Sequence, residues 1–357
     1  MKDKLIFVFL CTIFSICYSK ETKEFYLNFL NESLNSNEIT VKTEAIKSLS
    51  LIGDKSSISK LRKLLNDPSD TIKIESAIAL YRLGDNSGKD ILIKIIKDKP
   101  NVSMKDPPVK RAKALAKNLI RAQAVKALGE FNDKSVIPIL NERAKDKEED
   151  GRVVDESIIS LTKLGDRSGI DIFISGLDSS DKNVKEKACE VLGEVKEEKA
   201  KGKLRQLLSH WDKGVRSSAC LALGKIGDKE SIKSIISLLS DKDEVVRISA
   251  AESLGLMGDK SIIPQLRKLL EDPNGLVRLS ACDSLFKLGD NSGESFVISS
   301  ISAQDTDAKI KSIQIISSYK IKNALDKLEE LYKQEENQII KIKIASAILN
   351  INKQGGN

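Results

Sequence analysis

One phrase recurs along this chain: Val-Arg-Ser-Ser-Ala-Cys-Leu-Ala-Leu-Gly at 215–224, Val-Arg-Ile-Ser-Ala-Ala-Glu-Ser-Leu-Gly at 246–255, and Val-Arg-Leu-Ser-Ala-Cys-Asp-Ser-Leu-Phe at 277–286. Its opening apolar-basic pair stands at Val41-Lys42, Ile72-Lys73, Ile120-Arg121, Val184-Lys185, Val215-Arg216, Val246-Arg247, Val277-Arg278, Ile310-Lys311 and Ile342-Lys343. Val153-Val154 fills the remaining slot without the basic residue. The ten copies are spaced 31, 48, 33, 31, 31, 31, 31, 33 and 32 residues apart, so a single period holds everywhere except once. A period of roughly 20–50 residues marks a repeat array, in which each unit is too small to bury its own apolar face and must stack on its neighbours.

Each period reads as two short helices. In the second, Val246, Ala250, Leu254 and Met257 fall at helical spacing, and the small residues Ala250, Ala251 and Ser253 let neighbouring helices approach closely. Asp181, Asp212, Asp243, Asn274 and Asp307 each stand three residues before the pair, where an N-cap accepts bonds from orphan backbone N–H groups. Gly53, Gly84, Gly165, Gly227, Gly258 and Gly289 supply the left-handed stop. An Asp-x-Ser such as Asp54-Lys55-Ser56 or Asp259-Lys260-Ser261 then starts the next helix. Pro138 and Pro264 sit in its first turn, where proline is tolerated.

Val-Arg, Ala-x-x-x-Leu-Gly and Gly-Asp-Lys-Ser together resemble the HEAT repeat, in the short bacterial subclass of the phycobiliprotein lyases. The resemblance covers residues 22–351. It implies an all-α fold, a right-handed α-solenoid (superhelix) of about ten helix pairs, with the second helices lining the concave face. The fourth copy and the last two depart from the pattern, and terminal copies of such arrays cap the stack. The expected organisation is a signal peptide at 1–19, a solenoid at 20–351 with an insertion at about 97–117, and a flexible tail at 352–357.

Lys2 and Lys4, the run Leu5–Ile16, and small side chains at Cys17 and Ser19 before Lys20 make the three-part pattern of a secretory signal. The protein is therefore expected to be exported, either periplasmic or tethered on the outer side of the inner membrane. An uncleaved anchor is one alternative. Lipid attachment at Cys17 is another, since Phe14-Ser15-Ile16-Cys17 resembles a lipobox, although Ile16 stands where a small residue is expected. Cleavage after Ser19 leaves Cys189, Cys220 and Cys282, which share one register of the second helix. Equivalent atoms of stacked helices lie ~8–10 Å apart, beyond disulfide reach, so the three are expected to be reduced and buried.

Composition narrows the chemistry. The chain has one histidine, His210, which removes the enzyme classes that need a histidine pair as metal ligands or as base and orienter. HEAT-like di-iron hydroxylases carry repeated His-Glu motifs, and none occurs here. HEAT-like DNA glycosylases need an aromatic-lined site, and this chain has one tryptophan. No phosphate loop, Gly-x-Gly-x-x-Gly, His-Glu-x-x-His or Cys-x-x-Cys pattern is present. No catalytic residue, metal ligand or cofactor is assigned.

Three features remain. The basic column reads as a structural ladder, with Lys73, Lys185, Arg216, Arg247 and Arg278 pairing with aspartates of their own or the adjacent turn. The alternative is a polyanion-binding stripe. Trp211 in the turn of the sixth copy either covers its loop or serves as a binding hot spot. The single break in period adds about seventeen residues between the second and third copies, with Lys105-Asp106-Pro107-Pro108 leading into a helix that bears Lys110, Arg111, Lys113, Lys117 and Arg121. Eight basic and two acidic residues between Lys97 and Arg121 give a local charge of +6 out of a total of +7. The candidate partner contacts are Lys105, Lys110, Arg111, Lys113, Lys117, Arg121 and Trp211. The expected function is a non-catalytic scaffold for a protein partner, acidic where it meets the insertion. Alternatives are a lyase-like or other modifying enzyme, implied only by fold relatives, and an anionic surface bound through the insertion. Nucleic acid is not expected, membrane contact is expected only through the N-terminus, and the oligomeric state is open.

Overall fold

The computed structural model describes residues 21–353. The secretory pattern, with Cys17 and the cleavage site after Ser19, lies outside them, as does most of the tail. The described residues form twenty α-helices and no strand. They fall into ten pairs, from the second repeat onward a shorter first helix and a longer second one, as in Lys201–Leu207 and Lys213–Ile226 of the sixth repeat.

Local chemistry sets the helix bounds. The Asp212 carboxylate accepts the backbone N–H of Gly214 at 2.9 Å and of Val215 at 3.3 Å. This satisfies donors that have no partner inside the helix. Asn274 does the same for Leu276 and Val277. The helix stops at Gly227, at φ 77°, whose N–H returns to the carbonyls of Leu223 and Gly224. In the fifth and ninth repeats no glycine stands at this place. There Lys196 (φ 52°) and Lys320 (φ 51°) take the left-handed conformation instead.

The same caps correct the register of the last two repeats. Asp305, not Asp307, caps the ninth repeat, accepting from the N–H of Asp307 (2.9 Å) and Ala308 (3.4 Å). Asn337 caps the tenth through Ile339 and Ile340. The opening pairs are therefore Ala308-Lys309 and Ile340-Lys341, two residues before the pairs read from sequence. Ile310-Lys311 and Ile342-Lys343 misled because an apolar residue followed by lysine occurs at both registers, and only the capped turn distinguishes them.

The described residues divide into two compact units, one of residues 92–315 and one joining 21–91 to 316–353. In the 92–315 unit, successive second helices lie side by side at close range. A Cβ on Gly224 would fall 2.6 Å from the Cα of Ser253, and one on Gly193 would fall 2.6 Å from the Cα of Ala222. The small residue opposite often returns a hydrogen bond: Ser253 Oγ donates to the Cys220 carbonyl at 2.8 Å, and Ser284 Oγ to the Ala251 carbonyl at 2.8 Å. Behind this seam Leu223, Ile235, Leu254, Leu266 and Leu285 form a continuous apolar core. Cys189, Cys220 and Cys282 are buried, unbridged members of these helices.

In the other unit the first and last repeats, read as caps of the stack, pack on each other. Gln338–Ile351 lies against Ile39–Ile52, Lys343 Nζ meets Glu44 at 2.6 Å, and Lys353 Nζ donates to the Ile52 carbonyl at 3.1 Å. Tyr332 stands edge-on to Phe25, Tyr26 and Phe29, with centroids 5.9, 4.9 and 5.5 Å away. Each terminal repeat thus covers the apolar face that the other would leave in water.

Candidate interaction surface

The insertion departs from the repeat at Lys97, where the first helix of the third repeat (Lys89–Lys97) ends. Its prolines make residues 98–107 a poor helix, and Pro108 then occupies the first turn of Pro108–Glu130, a helix of 23 residues. Asp106 organises the entry. Its carboxylate accepts the Ser103 N–H at 2.7 Å and the Lys110 ammonium at 2.9 Å. These two bonds, the Ser103 N–H first, hold it below the usual carboxylate range.

Arg121 anchors the far half of this helix and is corrected from partner contact to internal strut. Its side chain is 1% exposed. It donates to the Ile96 carbonyl at 2.9 Å, to Asn118 at 3.0 Å, and in a fork to both oxygens of Glu149 at 2.7 and 2.8 Å. Arg143 donates to the same carboxylate at 3.0 Å. Burial alone would raise the Glu149 pKa, but the bonds and charge of these arginines hold it low. Removing either member of the Arg121–Glu149 pair would strand a charge out of water.

The remaining insertion cations are at the surface. Lys110 pairs with Asp106, and Lys117 with Asp98 at 2.7 Å. Lys105, Arg111 and Lys113 are exposed and have no ion pair among the described residues. Sequence reasoning missed what lies beside them. Val109 is 68% exposed, Leu115 44%, Leu119 45% and Met104 84%. Ala112 and Ala116 are exposed between them. The helix turns Ala114, Asn118, Arg121, Ala122 and Val125 inward, so its outward face is apolar. The spacing of 109, 112, 116 and 119 is visible in the sequence. Which side of the helix faces water is not.

The turn cations behave differently. Rungs cross between repeats at Lys42–Asp67 (2.9 Å), Arg121–Glu149 (2.7 Å), Arg216–Asp241 (2.9 Å) and Arg247–Asp272 (2.8 Å). Each ends on a carboxylate just before the next repeat's second helix. Where that place holds no carboxylate, the cation folds back. Lys185 donates to its own turn at the Leu177 carbonyl (2.7 Å), with His210 at the place in question. Arg278 donates to the Asp272 and Pro273 carbonyls and covers the Phe296 ring at 4.8 Å, with Ala303 there. Lys73 pairs with Asp70 of its own helix at 2.8 Å, the following turn being displaced by the insertion. Burial raises Asp241, and the Arg216 hydrogen bond and the Asp243 N–H outweigh it to leave its pKa lowered. The second helices are laced similarly, with Lys47 on Glu75 (3.2 Å), Lys163 on Glu194, and Lys311 on Glu252 (2.8 Å).

Trp211 stands apart from the insertion, on the sixth repeat. Its ring is 5.4 Å from that of His210, with Lys182 Nζ 6.0 Å from its centroid. At 78% exposed it does not cover its loop. Among the described residues no group of three or more His, Cys, Asp or Glu could hold a metal ion, and no helix is long and apolar enough to cross a membrane.

The HEAT repeat model matches residues 27–105, 170–255 and 232–295, and the PBS lyase HEAT-like repeat model matches 120–146. The chain belongs to the HEAT repeat family. The PBS lyase HEAT-like match begins at Ile120-Arg121, directly after the insertion. Among solved structures, this HEAT array is similar to the CpcE–CpcF complex of phycocyanin lyase from Nostoc sp. PCC7120, at 18% identity over 73% of this chain and 94% of that one, with a TM-score of 0.42. It is also similar to human deoxyhypusine hydroxylase, at 17% identity over 76% and 98%, TM-score 0.33. Kap121p aligns at 14% identity over 90% of this chain and 41% of its own, TM-score 0.41. No curated protein matches the sequence.

Proposed function

We propose that this HEAT array is an exported, non-catalytic scaffold that binds an acidic protein partner through the insertion of its third repeat. One observation carries the reading. The cations that open the second helices are engaged within the array, whereas the insertion leaves Lys105, Arg111 and Lys113 without an ion pair beside exposed apolar side chains. A HEAT array supplies an extended frame on which such a loop is presented. The non-catalytic part is supported by the thiols, the groups a covalent modifying activity would use. Burial pushes Cys189, Cys220 and Cys282 up to about 12, so each is protonated at neutral pH. Export rests on the pattern of residues 1–19, and the intact mass of the secreted protein checks it: Lys20 is the expected first residue.

Replacing Lys110, Arg111, Lys113 and Lys117 together with Glu tests the binding site. Affinity capture should lose its partner most completely at low ionic strength, because exposed charges are screened over a Debye length of ~8 Å at physiological salt. Stability should hardly change, since the two ion pairs involved are exposed and each contributes ~0–1 kcal/mol. Intact capture with a lowered unfolding midpoint would make the insertion a packing element.

A further inference from the structure

The outward face of the insertion helix has a geometry that narrows the partner's chemistry. Val109, Ala112, Ala116 and Leu119 are separated by three, four and three residues. That is the a/d spacing of a coiled-coil seam. All four are exposed, and Leu115 widens the strip on one side while Lys113 lines it on the other. Ordinary solvated helices put polar residues on this face. Here the water-facing side is apolar over three turns and becomes polar at Gln123 and Lys126. The two alanines at its centre favour a closely approaching backbone, and the strip carries no Trp, Tyr or Phe to sit at a lipid interface.

We propose that this strip docks an amphipathic α-helix of the partner protein, with an apolar seam and an acidic flank. The proposal rests on the reading that the insertion is the partner contact, and it specifies the recognition mode. Val109, Ala112, Ala116 and Leu119 take the partner's seam, and Lys113, at the flanking position beside it, meets its carboxylates. Charge decides against a second copy of this chain, because pairing two such helices would bring Lys113 and the other surface cations of one insertion against those of another.

The test uses a helical peptide of about three heptads with Leu at a and d and Glu at e and g, whose like charges keep it from pairing with itself. Its counterpart has Lys in place of Glu. The whole exported chain should bind the Glu peptide, with helix formation on binding, and should bind the Lys peptide at least about tenfold more weakly. Ala112→Asp with Ala116→Asp should abolish binding, as should Val109→Asp separately. All three sites are exposed, so far-UV circular dichroism should be unchanged. Failure of the Glu peptide to bind, equal binding of both peptides, or binding indifferent to the Asp variants would overturn the proposal. Binding to phosphatidylglycerol vesicles without peptide binding would assign the strip to lipid, and a concentration-dependent dimer in sedimentation would assign it to a second copy. Natural-partner capture that fails with the four Glu substitutions yet survives Ala112→Asp/Ala116→Asp would leave the scaffold reading standing and remove this one.

Discussion

Arg247 and Arg278 open the same ten-residue phrase, yet they do different work. Arg247 reaches forward to grip both oxygens of Asp272, at 2.8 and 3.1 Å, and backward to the Asp241 carbonyl. Arg278 has no carboxylate ahead of it and bonds only to carbonyls of its own turn. Arg247→Ala should therefore cost about 1.5–3 kcal/mol, the range for hydrogen bonds to charged groups. Arg278→Ala should cost about 1 kcal/mol or less, mostly its cation–ring contact. Urea unfolding midpoints of the two variants check the difference, and equal losses would remove the forward rung as its cause. The cysteines make a second prediction at this scale. With each thiol enclosed and held at about 12, labelling by a thiol reagent at pH 7 should be slow for all three and become complete only in denaturant. Rapid labelling of any one in the native protein would contradict its placement in the core.

Helices meet in this array through their smallest residues. Gly224 has no freedom of substitution because the space a Cβ would need is occupied by backbone, the Cα of Ser253 at 2.6 Å. Backbone cannot rotate away as a long side chain can. Gly224→Ala should thus push two repeats apart and cost about 1–3 kcal/mol, the range for overpacking, although alanine is the better helix former. Lys196→Gly acts in the other sense. The lysine sits at φ 52°, a conformation that costs a side-chain-bearing residue roughly 1–2 kcal/mol, while glycine brings back about 0.5–1 kcal/mol in unfolded-chain entropy. A gain of about 0.5–1 kcal/mol is expected, read as a raised unfolding midpoint. Both effects follow from helix ends and helix seams, and neither requires a change in the core.

For the molecule as a whole, the contact between first and last repeats couples parts of the chain some three hundred residues apart in sequence, as Lys343–Glu44 and the Tyr332 ring cluster show. Repeat arrays draw stability from nearest-neighbour interfaces, so one lost interface should loosen its own repeats first. Tyr332→Ala with Lys343→Glu should accelerate amide exchange in Ile39–Ile52 and Gln338–Ile351 and leave Lys213–Ile226 as protected as before. Unchanged exchange in the terminal helices would mean that this contact contributes no stability. Periodicity alone determined the all-α repeat, the number of units, the caps of the fifth to eighth repeats, the glycine stops, and the place where the period breaks, because these depend on residues close in sequence. Three things were decided by the tertiary structure: the register of the last two repeats, the enclosure of Arg121, and the outward turn of the 109–119 strip. Two registers of one helix, or two sides of it, can satisfy the same local pattern: the folded turn that caps the helix selects the register, and what packs against the helix selects the side. The meeting of the two terminal repeats belongs with these, since no single repeat carries a mark of which other repeat will cover its open face.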